Sequence, residues 1–180
     1  MALNGTCAAV NAPKVKFDYC TPEINYGQID RILLGNEGYP LDDPTDLAEW
    51  TDRVDNDDIV DASKIRQLFV IGDKPAPESS VQKISLGRSV YGTKKHTINI
   101  KIDETNDDNY NLVQWLEDHS GVTFRCWYTA GKYLYGGADG IPVNINLDDV
   151  IPEASDALDL FIGKLTFEGK TPDRILNPMA

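Results

Sequence analysis

Thr97-Ile98-Asn99-Ile100-Lys101-Ile102-Asp103 is the stretch that decides the fold class. Isoleucine stands at every second position, with Asn99 and Lys101 between. A period of two puts one row of branched apolar side chains on a buried face and a polar row on a wet one, which is a half-buried β-strand. Downstream, Val143, Ile145 and Leu147 alternate with Asn144 and Asn146 and give a second strand of the same kind. Between them the sequence predicts a helix from Thr105, with Thr105 and Asp108 in a capping-box relation and Asp107 and Asp108 at the positive end of its dipole. Leu112, Val113 and Leu116 supply its core stripe, and Gly121 stops it.

Further strands are expected at 28–34, 65–71 and 81–91, the last alternating around Ile84, Leu86 and Val90. A hairpin is expected from 122–129 and 132–135 across Ala130-Gly131. Residues 158–167 are apolar on both faces at several positions, so this strand is placed last and centrally. A short helix over 45–54 takes Asp43 as N-cap and Pro44 at its first position, with Leu47, Trp50 and Val54 facing the core. Seven or eight strands joined mostly by loops imply a mainly β fold: an antiparallel β-sandwich or partly closed barrel with one or two flanking helices. The domain runs over 21–169. An extended N-terminal arm (1–20), with at most a short strand at 14–19, and a C-terminal tail (170–180) flank it.

Composition narrows the function classes. The chain has 180 residues, 41% apolar and 26% charged, enough to build a core and too apolar for wholesale disorder. Its net charge of -12 and pI near 4.5 repel phosphate backbones and anionic membranes, so DNA binding through a basic face is not expected. No apolar run reaches the ~20 residues of a membrane span, and no secretory signal is visible. Cys7, Cys20 and Cys126 form no CxxC pair; Cys126 reads as a small hydrophobe, while pairing of Cys7 with Cys20 is left open.

Catalytic motifs are missing. There is no Walker loop, GxGxxG or GxSxG, and Gly136–Gly140 lacks the following helix and lysine of a phosphate cradle. His119 sits at a predicted helix end, and His96, beside Lys94-Lys95, reads as solvated. Two acidic runs, 52–61 and 103–109, invite a calcium reading. The second has Asp108 where a calcium loop needs Gly and Gln114 where it needs Glu, so helix capping is preferred. Trp50, Trp115, Trp127, Tyr128, Tyr133 and Tyr135 suit a core or subunit contacts, with a sugar-binding platform as the alternative. The expectation is a non-enzymatic protein with no catalytic residues, cofactor or metal.

Three stretches carry a resemblance: Cys20-Thr-Pro-Glu-Ile-Asn-Tyr-Gly-Gln-Ile29, Ile71-Gly-Asp-Lys-Pro-Ala-Pro77 and Lys95-His-Thr-Ile-Asn-Ile-Lys-Ile-Asp-Glu-Thr-Asn106. Over 20–169 the chain resembles small virion proteins of phages and prophages of Bacteroides-type bacteria. Its element order resembles the tail tube proteins of tailed bacteriophages. That resemblance implies a virion subunit, assembled in the host cytoplasm, which forms homo-oligomeric rings and meets other virion proteins. DNA would pass through the rings without specific binding. It makes Asn99, Lys101, Asn144 and Asn146 candidates for a water-filled lumen, and Leu3, Cys7 and Val10 candidates for an intersubunit arm. A head-to-tail ring protein, a capsid decoration protein and a β-sandwich carbohydrate-binding module are the alternatives.

Overall fold

The computed structural model describes residues 13–15, 20–21, 24–25, 27–84 and 86–180. The arm residues Leu3, Cys7 and Val10, and most of the strand expected at 14–19, lie outside them. Among the described residues, nine strands and two helices follow in the order β1 (Ile29–Gly35), α1 (Leu47–Arg53), β2 (Arg66–Asp73), β3 (Glu78–Lys83), β4 (Ser89–Ile102), α2 (Asp107–Asp118), β5 (Phe124–Ala130), β6 (Tyr133–Tyr135), β7 (Ile141–Val150), β8 (Leu160–Gly169) and β9 (Arg174–Leu176).

The fold is mainly β, and the barrel alternative holds with complete closure. Strands β1-β2-β4-β8-β7-β5 pair antiparallel in that order, and β5 pairs back onto β1. Three strands lie outside this ring: β3 extends β4, β6 extends β5, and β9 pairs with β6. Closure depends on β1, the strand shared by β2 and β5. A bulge between Ile29 and Arg31 shifts both of its registers at the same point. Bulges bend a strand and increase its twist, which a small barrel requires. This one also returns Ile29 and Ile32 to the same inward face despite their odd spacing.

The interior is filled by the alternating rows. Ile98, Ile100 and Ile102 of β4 meet Phe161, Leu165 and Phe167 of β8, and α2 adds Val113 and Leu116. A second core lies outside the barrel wall, where Leu33, Trp127 and Leu134 meet Leu41, Trp50 and Ile65. β1 and β5 are therefore covered on both faces, which explains their continuous apolar runs. β8, for which that property was expected, instead alternates: Lys164 is exposed and Thr166 half-buried on its outer face. It is central, between β4 and β7, but it is not last, because β9 lies within the expected tail.

The differences from expectation are local. The strand expected at 81–91 is a hairpin, since Leu86 (φ 65°) and Gly87 (φ 69°) turn the chain between β3 and β4. α1 is capped by Asp46, whose carboxylate accepts from the Ala48 N–H at 2.9 Å. Asp43 instead builds the preceding turn by accepting from Thr45, and Leu47 is exposed while Trp50 is buried. α2 is capped by Asn106, which accepts from the Asn109 N–H at 2.9 Å, so the cap stabilisation belongs to Asn106 and not to Thr105. The helix ends at Asp118, ahead of Gly121.

Candidate functional site

The four polar residues singled out on the half-wet strands all lie on the outer wall of the barrel, and the register brings them together. Asn99 and Asn146 both pair with Lys164, giving a row Asn99–Lys164–Asn146 across β4, β8 and β7. One step along, Thr97 and Asn144 flank Thr166; one step the other way, Lys101 and Asp148 flank Ile162. Asp73 on β2 continues the middle row and accepts from the Asn99 amide at 3.3–3.4 Å, while Asp148 accepts from the Asn146 amide at 3.1 Å. The result is a mostly polar wall of amides, hydroxyls and balanced charge around Ile162. Such a wall offers hydrogen bonds on every side and holds no concentrated charge.

Above this wall projects a β-ribbon, which sequence reasoning missed. Residues 89–93 of β4 pair only with β3, because the β4–β8 ladder begins at Lys94↔Gly169. Among the described residues both outer edges of the ribbon are unpaired. Val81, Val90, Tyr91 and the tip residue Leu86 are more than half exposed on it. A cleft lined by Tyr91, Thr93, Lys94, Lys170 and Thr171 runs along its base.

The acidic run 52–61 and Cys126 serve the fold. The run 52–61 is a series of side-chain turns: Asp55 accepts from the Asp57 and Asp58 N–H groups, Asp58 from Val60 and Asp61, and Asp61 from Ser63. Those backbone hydrogen bonds hold the Asp55 and Asp61 carboxyls below the usual aspartate range. Arg66 donates to the Asp55 and Asp58 carbonyls, and Arg53 to those of Tyr39, Pro40 and Ser63. Among the described residues no three His, Cys, Asp or Glu side chains gather as a metal site. Cys126 is buried in the barrel, where desolvation pushes its thiol far up.

The Gly136–Gly140 loop has a packing role. It wraps Trp127, whose indole N–H donates to the Gly137 carbonyl at 2.8 Å. The six aromatics form no common platform. Trp50 and Trp127 meet edge to face in the outer core, and Tyr128 and Tyr135 stack at 4.7 Å. Trp115 stacks on His119 at 4.1 Å on α2, and Tyr133 lies under Arg174.

His96 is not solvated. It is 1% exposed, faces into the barrel and stacks on Phe167 at 4.6 Å, and no hydrogen bond of good geometry reaches its ring nitrogens. The signal was available, because two steps back from Ile98 the inward parity falls on His96. Burial lowers its pKa below the usual histidine value; Lys74 and Lys94 push the same way, and the Gly169 carbonyl opposes them. The folded state therefore holds the neutral ring, while the unfolded chain takes up a proton near pH 6.5. Stability is expected to be complete above about pH 6.5 and to fall as pH drops below it toward the depressed folded value. The carboxylates of Asp55 and Asp61 act later, below about pH 4. Urea midpoints at pH 7.5 and 5.5 should differ for the native chain and converge for His96→Phe; an equal difference in both would refute the assignment.

No protein-family model, curated protein or solved structure matches the chain.

Proposed function

We propose that this chain is a non-enzymatic structural subunit of a phage virion, and that it works as a tail tube protein whose copies form stacked rings around a DNA channel. The observation that carries this reading is the β3–β4 ribbon. A two-stranded ribbon standing off its barrel is marginal in water on its own. One whose outer edges are unpaired among the described residues, and which exposes Val81, Val90 and Tyr91, is an aggregation liability unless another chain covers it. The closed barrel, its interior filled by the alternating apolar rows, supports the reading as a rigid brick.

In this arrangement the Asn99–Lys164–Asn146 wall faces the lumen. Its mixed amides and balanced charge, on a chain of net charge -12, suit passage of DNA without capture. The segment 1–20, apolar at Leu3, Cys7 and Val10, reaches a neighbouring subunit. The test is negative-stain microscopy and sedimentation of the purified full chain. Rings or tubes with a central channel are expected, and a chain that stays monomeric at every concentration and salt would refute the proposal. The carbohydrate-binding alternative has less support, because its aromatics are scattered between the two cores and α2.

A further inference from the structure

We propose that copies of this chain join head to tail, the β3–β4 ribbon of one seating on the β7–β8 loop of the next. This rests on the reading of the chain as a self-assembling subunit and names the contact that would build the assembly. The two surfaces lie at opposite ends of one ladder. The β4–β8 pairing runs from Lys94↔Gly169, where the ribbon leaves the barrel, to Ile102↔Phe161, next to which the β7–β8 loop emerges. At ~3.3 Å per residue the eight steps between these nine pairs separate the two by about 26 Å.

The charges of the two surfaces are complementary. In a chain with 29 acidic and 17 basic residues, the ribbon carries Lys83, Arg88, Lys94 and Lys95 against Glu78 alone. Lys95 sits in register between Glu78 and Glu168, which leaves Lys83, Arg88 and Lys94 uncompensated. The loop carries Glu153, Asp156 and Asp159 and no basic residue, and Asp149 stands beside it at the end of β7. None of these seven side chains makes an ion pair among the described residues.

Both surfaces also expose apolar side chains that their own fold leaves uncovered. These are Val81, Val90 and Tyr91 on the ribbon, and Ile151 and Leu158, each more than 70% exposed, on the loop. Apolar patches of this kind, ringed by opposite charge, describe the two halves of an interface. Because the halves differ and lie at opposite ends, the contact is heterologous: it propagates from copy to copy and does not stop at a dimer. A solvated ribbon kept soluble by its cations would account for Lys83 and Arg88. It would leave the matching acidic apolar loop at the far end without a role.

Charge reversal tests the pairing on the full chain. One variant carries Lys83→Glu and Arg88→Glu, the other Glu153→Lys, Asp156→Lys and Asp159→Lys; circular dichroism checks that both are folded, as exposed substitutions should be. In sedimentation at low salt each variant alone is expected to run as a monomer where the native chain assembles. An equimolar mixture is expected to assemble again, since every ribbon then finds a loop of opposite sign. Assembly of the native chain should also weaken steeply as salt rises. Variants that assemble as the native chain does, or a mixture that stays monomeric, overturn this contact while leaving a self-assembling subunit intact. A native chain that is monomeric throughout overturns both.

Discussion

Trp127→Ala is expected to lose about 3–5 kcal/mol of stability, the range for deleting a fully buried tryptophan. Trp127 joins the barrel wall to everything packed outside it. Its ring is fully buried, meets Trp50 of α1 edge to face at 5.7 Å, and lies against Leu33, Ile65 and Leu134. The loop after β6 is shaped around the same ring. A Cβ on Gly136 would stand 2.5 Å from the indole and one on Gly140 2.8 Å from it, and both glycines hold positive φ. Removing the ring empties this cradle and orphans the Gly137 carbonyl. Trp127→Phe should recover most of the packing but not that hydrogen bond, and so fall between the two. Urea unfolding followed by far-ultraviolet circular dichroism measures all three chains. A loss below about 1 kcal/mol for the alanine variant would mean that the outer core does not depend on this residue.

Gly163→Ala is expected to cost about 1–3 kcal/mol or more through overpacking. Gly163 points into the barrel between Phe161 and Leu165, directly opposite Leu147 of β7. A Cβ there would come within 2.3 Å of the Leu147 side chain and 2.5 Å of the Asn146 carbonyl oxygen. Leucine can change rotamer; the carbonyl belongs to the paired strand and can move only if the ladder opens. Combining Gly163→Ala with Leu147→Ala should therefore relieve part of the strain and not all of it, a coupling that a double-mutant cycle reads directly. Gly121→Ala is the control, because a Cβ there meets nothing within 4 Å and its φ is ordinary. Equal melting temperatures for the Gly163→Ala and native chains would refute the steric account.

What the sequence makes legible follows from periodicity. Ile98, Ile100 and Ile102 announce a strand with one dry face, and the structure puts them inside and Asn99 and Lys101 outside. The turn at Leu86-Gly87 is hidden because a leucine at φ 65° sits where an alternating pattern wants an inward residue. The N-caps slip by one to three residues because several Asp, Asn and Thr compete at each helix start, and only backbone geometry chooses among them. The outer wall was half visible. Each half-wet strand shows its polar row, yet the meeting of Asn99 with Asn146 through Lys164 depends on a register set by barrel closure. The ribbon and the acidic loop drew no notice as partners, since nothing local to either stretch says that they stand at opposite ends of one ladder.

Closure through β1 also shapes how the molecule forms. β1 is an early strand in the chain, but its second partner, β5, follows about a hundred residues later, a separation that slows folding by raising the contact order. At roughly 5–20 residues per second of synthesis, β1 waits several seconds with the edge that pairs β5 unfilled. Until β5 arrives the sheet is open on that side and offers an edge to any other nascent copy. The step that seals the barrel is thus the one at which monomer and aggregate part, and prompt shielding of β1 should raise the yield of folded chain more than any change made to the finished barrel.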